Sequence, residues 1–134
     1  MRKTLTTTLA GAAAALLLFT SACSSSAIEV ETVGADHAVE IIESGEHAVI
    51  DVRTPAEYAA GHVEGSVNLD LSSATFEQQL DGLDKDEEYV VYCQSGNRSA
   101  TAADKMADLG FTNVVDAGGI VSLEAAGAKI VQGG

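Results

Sequence analysis

Val90-Val91-Tyr92-Cys93-Gln94-Ser95-Gly96-Asn97-Arg98-Ser99-Ala100, VVYCQSGNRSA, carries the decisive pattern of this chain. An apolar run ends in a thiol, a small polar loop follows, and an arginine opens a segment of helical period. A short, continuous apolar run bounded by turn residues reads as a strand buried on both faces, as in a parallel sheet. The surrounding chain repeats the pattern, with short apolar runs alternating with longer helical segments. That alternation predicts an α/β fold with a mostly parallel central sheet flanked by helices on both faces.

Upstream, Ile28 to Val33 reads as an opening strand. Asp36 to Ser44 places Ala38, Ile41 and Ile42 on one helical face and stops at Gly45. Ala48 to Val52 (AVIDV) is another buried strand. Thr54-Pro55-Ala56-Glu57 has the form of a capping box with Pro at the first helical position, so a short helix is expected through about Ala60. Gly61 and Gly65 bracket a turn into a short strand around Ser66 to Leu69. Phe76, Leu80 and Leu83 make Ala74 to about Gly82 amphipathic. Asp84 to Glu88 is a solvated acidic loop. Downstream of the loop, Asn97 or Arg98 to Leu109 is helical, with Ala103, Met106 and Ala107 inward and Gly110 as its stop. Asn113 to Val115 reads as a strand, Gly118-Gly119 as a tight connection, and Ile120 to Ala126 as a last helix.

The chain has 134 residues, room for one ordinary domain. Its start does not belong to that domain. Met1-Arg2-Lys3 is basic, Leu9 to Phe19 is apolar, and Thr20-Ser21-Ala22 is small, the order of a bacterial export signal. The apolar run is shorter than the ~20 residues of a membrane-spanning helix. Phe19-Thr20-Ser21-Ala22-Cys23 resembles the lipobox of bacterial lipoproteins, with Thr20 where Leu is most frequent. The resemblance implies a lipidated Cys23 as the mature N-terminus, against plain secretion as the alternative. The organisation expected is therefore 1–22 signal, 23–27 lipidated Cys and short tether, and 28–134 domain. Ser24 to Ala27 reaches at most ~14 Å, which holds the domain close to the extracytoplasmic face of the membrane.

The sequence holds 7 basic and 20 acidic residues; without Arg2 and Lys3 the mature chain keeps 20 acids against 5 bases, a net charge near −15. A field of that sign argues against nucleic acid and against adhesion to anionic lipid heads. His37, His47 and His62 have no motif spacing for zinc, and no metal is expected. With Cys23 lipidated, Cys93 is the one free thiol of an exported domain, and an unpaired thiol there has to be buried or used.

The placement of Cys93 favours use. It ends a strand of a parallel sheet, where ligands bind. Gln94, Ser95, Gly96 and Asn97 allow the backbone to curl with amides pointing at the sulfur. Amides and the following helix start stabilise negative charge and lower a thiol pKa, and Arg98 adds positive charge at the rim. Such a thiolate suits attack on sulfane sulfur or on phosphorus. Four residues separate Cys93 from Arg98, one fewer than in the Cys-x5-Arg loop of tyrosine phosphatases, so the tighter loop fits sulfur better.

Asp51-Val52-Arg53-Thr54-Pro55-Ala56-Glu57-Tyr58-Ala59-Ala60-Gly61-His62-Val63-Glu64-Gly65-Ser66-Val67-Asn68 resembles the rhodanese segment D-V-R-x-x-x-E-[FY]-x-x-G-H-[IV]-x-G-[AS]-x-N. Cys93 to Ser99 matches that family's C-x-x-G-x-R-S loop. Leu109 to Val114 and Gly118-Gly119 match its closing segments, and Leu123 stands where many single-domain members carry Trp. The resemblance covers about Ile28 to the C-terminus. It implies a rhodanese-like fold and a sulfurtransferase needing no cofactor. Cys93 would take sulfur from thiosulfate or a similar small anionic donor and pass it to cyanide or a thiol. Amides of Gln94, Ser95, Gly96, Asn97, Arg98 and Ser99 would hold the persulfide, and Arg98 would favour the anionic donor.

Plainer readings stand beside these. A lone Cys is often a buried hydrophobe, Arg98 could pair with surface acids, and Glu57 is explained by helix capping. The rhodanese resemblance implies that Asp51 and Arg53 are scaffold positions bracing loops near the pocket, and His62 reads as a structural hydrogen-bonding residue of a Gly-His turn. Ser99 either caps the helix or donates to the sulfur. A non-catalytic rhodanese-fold module that binds a partner or presents a persulfide, and a phosphatase or arsenate reductase, are the alternative functions.

Overall fold

A computed structural model describes Ile28 and Val30 to Gly134. The export segment, Cys23 and the serine tether lie outside the described residues. The strands are β1 (Val30–Thr32), β2 (Ala48–Asp51), β3 (His62–Val63), β4 (Val67–Asn68), β5 (Glu88–Cys93), β6 (Asn113–Gly119) and β7 (Ile130–Val131). The helices are α1 (Ala35–Ser44), α2 (Pro55–Ala60), α3 (Phe76–Asp81), α4 (Asn97–Asp108) and α5 (Ile120–Ala125). Five strands form a sheet in the order β1-β6-β5-β2-β4, every pairing parallel. The fold class expected from the alternating pattern is the one observed.

Side chains of β5 alternate across the sheet, as a strand requires. Tyr89, Val91 and Cys93 join Ile50, Val52, Phe76, Leu80, Met106 and Phe111 in one core, under α3 and α4. Val90 and Tyr92 join Ala38, Val39, Val49, Val115 and Leu123 in the other, under α1 and α5. Each large apolar side chain buried this way contributes about 1.5–3 kcal/mol. β5 is therefore fixed from both sides, and with it the position of the thiol at its end.

The expected Thr54–Glu57 capping box is present: the Thr54 hydroxyl accepts from the Glu57 amide and the Glu57 carboxylate accepts from the Thr54 amide. Inward faces differ in detail. Val39 and Ala102 are buried, whereas Ile41, Ile42 and Ala107 are half-buried at the margins of the two helices. The strand expected to end at Val115 continues to Gly119, because Asp116 and the glycine pair interrupt its apolar pattern without interrupting its pairing. His62, placed in a turn by its flanking glycines, lies in β3, which pairs antiparallel with β7. Strands of two residues leave no period to read.

Candidate active site

The Cys93 sulfur lies beneath its loop, fully buried. The Gly96 amide donates to Sγ at 2.9 Å, and the Ser99 Oγ is 3.6 Å away. Gly96 has φ of +99° as the N-cap of α4, a conformation that glycine enters at no steric cost. This turn folds the loop back over the sulfur. Burial is the largest single influence on the thiol and opposes ionisation. It is outweighed by the Ser99 hydroxyl and the amides of Ser99, Gly96 and Ser95, so the pKa falls below the ordinary thiol value. Ser99 is not the helix cap. Its hydroxyl donates to the Gly96 carbonyl at 3.0 Å, with the Gly118 carbonyl at 3.4 Å, and stands ready to turn toward a thiolate.

Two residue steps on β5, from Val91 to Cys93, face three on β6, from Asp116 to Gly119. A bulge of this kind bends a strand and re-aims the residues beyond it. Here Asp116 accepts from the Gly118 amide at 3.0 Å and holds the bulge. Gly119 then passes directly against the loop: a Cβ there would lie 2.6 Å from the Gln94 carbonyl oxygen. The glycine pair read as a connection is the wall on which the loop rests.

Asp51 and Arg53 form a buried ion pair, with Arg53 donating to the Asp51 carboxylate at 2.7 to 3.1 Å. Arg53 also donates to the Gln94 side-chain carbonyl at 3.0 Å and to the Gly61 carbonyl at 2.6 Å. One guanidinium thus ties the end of β2, the thiol loop and the end of α2 together. Tyr92 supports the same corner from below, its hydroxyl accepting from the Val63 amide at 3.0 Å and lying 3.1 Å from Ser66 Oγ. Burial raises its pKa, so it remains a neutral phenol. His62 stacks on Tyr58 with centroids 3.7 Å apart, its Nδ1 2.9 Å from the Tyr58 carbonyl.

Arg98 lies in the first turn of α4 and makes two 2.8 Å hydrogen bonds to the Glu57 carboxylate. Glu57, explained in sequence by capping alone, therefore also anchors the arginine of the loop, and the positive charge expected at the rim is paired with an acid. Hydrogen bonding from Arg98 is the chief cause that draws its carboxyl down to about 2. Ser95 and Asn97 are exposed on the loop surface, Ser95 contributing its amide to the sulfur. Sequence reasoning misses Gly119 and Tyr92 as site residues; Gly118-Gly119 beside a strand is the available signal for the first, and an apolar strand gives none for the second. Among the described residues no three His, Cys, Asp or Glu converge as metal ligands.

The described site lies within residues 34–126, which match the family model of the Rhodanese-like domain. The chain is 35% identical over 71 residues to the thiosulfate sulfurtransferase PspE of Escherichia coli (strain K12), covering 53% of this chain and 68% of that protein. It is 37% identical over 86 residues to the thiosulfate sulfurtransferase GlpE of Pseudomonas fluorescens (strain Pf0-1), covering 64% and 76%. Among solved structures, a rhodanese-related protein from Thermoplasma volcanium superposes with a TM-score of 0.66 at 33% identity, over 75% of this chain and 97% of the other.

Proposed function

Because the chain belongs to the rhodanese family, we propose that it is a sulfurtransferase working through a persulfide on Cys93. The observation that carries this reading is the sulfur held at 2.9 Å by the Gly96 amide, with its pKa lowered in spite of burial. The Cys93 thiolate attacks the outer sulfur of thiosulfate or a similar donor. The donor's S–S bond breaks, its electron pair leaves with sulfite, and the outer sulfur stays on Cys93 as an anionic persulfide. Amides of the Gln94 to Ser99 loop stabilise that charge where it develops. Cyanide or a thiolate then attacks the outer sulfur, and the electron pair of the breaking S–S bond returns to Cys93.

Intact-mass spectrometry after thiosulfate treatment tests the intermediate: a gain of one sulfur atom is expected in the native protein and not in Cys93→Ser. Thiocyanate production unchanged by that substitution would overturn the assignment. The lipobox-like Phe19 to Cys23 supports a working position on the extracytoplasmic membrane face, held by a lipid on Cys23. Metabolic labelling with a radioactive fatty acid, lost in Cys23→Ala, is the outcome expected; equal labelling of both would refute it.

A further inference from the structure

An open cleft of about 340 Å³ lies against the thiol loop, at Gln94 and Arg53. Its apolar wall is Ile120, Val121 and Ile130, and its acids are Glu57 and Glu124. Val121 is 62% exposed, one of two large hydrophobics so exposed among the described residues. Beside a nucleophile, a cleft of this size suits a small organic molecule with an apolar body.

The charges around it are unevenly matched. Arg53 is held by Asp51, and Arg98 by Glu57. The three remaining bases of the described residues are also in ion pairs, Lys85 with Asp81, Lys105 with Glu77 and Lys129 with Glu64. No described Lys or Arg is left unpaired to receive an anion. Glu124 is exposed and has no basic partner, so the cleft carries one uncompensated negative charge within a strongly acidic domain. The cleft adjoins the thiol loop through Gln94 and Arg53, so a molecule bound in it lies next to the residues that enclose the sulfur.

We propose that this cleft is the acceptor subsite and that Glu124 sets its specificity, favouring thiols with a neutral or cationic body over anionic ones. The inference rests on the sulfurtransferase reading above. The acceptor thiolate attacks the outer sulfur of the Cys93 persulfide. A new S–S bond forms on the acceptor, the bond to Cys93 Sγ breaks, and its electron pair remains on Cys93 as thiolate. The acceptor's thiol proton passes to solvent as the attacking thiolate forms. Its body occupies the Ile120–Val121 wall, where an ammonium group is attracted by Glu124 and a carboxylate is repelled.

The test is single-turnover discharge of the sulfur-loaded protein by cysteamine, mercaptoethanol and mercaptoacetate, in the native chain, Glu124→Gln and Glu124→Lys. These thiols differ in intrinsic reactivity, so the readout is the variant-to-native rate ratio for each thiol separately. Glu124→Gln should speed discharge by mercaptoacetate and slow discharge by cysteamine, each roughly threefold at low salt, the effect of one screened unit charge nearby. Mercaptoethanol, whose attacking thiolate is its only charge, should fall between the two, Glu124→Lys should extend the spread, and high salt should compress it. Ratios equal for all three thiols would overturn the proposal while leaving the persulfide mechanism intact. Failure of Cys93 to load sulfur from any donor would overturn both.

Discussion

Replacing Glu57 by Gln separates two tasks performed by one carboxylate. Its Oε2 accepts from the Thr54 amide and hydroxyl, both at 2.9 Å, and its two oxygens take the Arg98 guanidinium at 2.8 Å. Glutamine serves the third position of a capping box as well as glutamate, so Glu57→Gln keeps the reciprocal cap and removes the ion pair. The carboxyl is drawn from 4.5 to about 2, chiefly by Arg98; burial opposes this, and the Thr54 amide and hydroxyl reinforce it. In a dry site such a displacement would correspond to about 3 kcal/mol. The two side chains are 33% and 36% exposed, and solvent screening reduces the expected stabilisation to about 1 kcal/mol.

The sign is set by the direction of the displacement. A carboxyl with a lower pKa in the folded than in the unfolded chain stabilises fully above the unfolded value, and loses that stabilisation as pH falls through the folded one. Urea unfolding of the native protein and Glu57→Gln should therefore differ by about 1 kcal/mol at neutral pH. The gap should hold down to about pH 4.5 and close toward pH 2. Taking the difference cancels the acid titration that both chains share. A gap that persists undiminished at pH 2, or that has already closed above pH 4.5, would refute the account of this pair.

Gly119→Ala places a Cβ 2.6 Å from the Gln94 carbonyl oxygen, so the loop has to move; thiocyanate production should fall about 10²-fold or more while circular dichroism still shows a folded chain, and native-level activity would contradict the contact. Ser99→Ala removes the hydroxyl that helps offset burial, so the Cys93 pKa should rise toward or above the ordinary thiol value; an unchanged midpoint in an ultraviolet thiolate titration would assign the lowering to the amides alone. Tyr92→Phe takes the acceptor from the Val63 amide and should cost about 1–3 kcal/mol in urea unfolding, with no change in the thiolate titration; a shifted titration would place Tyr92 in the chemistry.

Features recorded locally in the chain were readable from it. The AVIDV and VVYC runs, the Thr54–Glu57 cap and the stop at Gly45 each depend on residues a few positions apart, and each is found where the pattern puts it. What was not readable depends on separation. Glu57 and Arg98 are 41 positions apart, and so are Arg53 and Gln94. Nothing local to either residue announces its partner. Gly119 is required by the Gln94 backbone at the same end of the parallel β5–β6 pairing, a strand away in sequence, and Ile130–Val131 becomes a strand only because His62–Val63 is beside it. A capping residue with a second, distant partner is especially well hidden, because the cap alone accounts for the residue type.

The two layers of charge around Cys93 have different physical characters, and this divides the chemistry between them. The sulfur is activated by fixed amide and hydroxyl dipoles in a buried site, where dissolved salt screens little. The cleft beside the loop carries the exposed Glu124 within an acidic surface, where screening is strong. An unpaired arginine at the sulfur would attract anions of every kind, including those unable to donate or accept sulfur. Pairing Arg98 with Glu57 leaves it to shape the loop, while the amides would supply the stabilisation that the proposed persulfide requires. On the proposed reading, Glu124 acts on the body of an acceptor in the cleft, while the amides act on the sulfur whatever the donor.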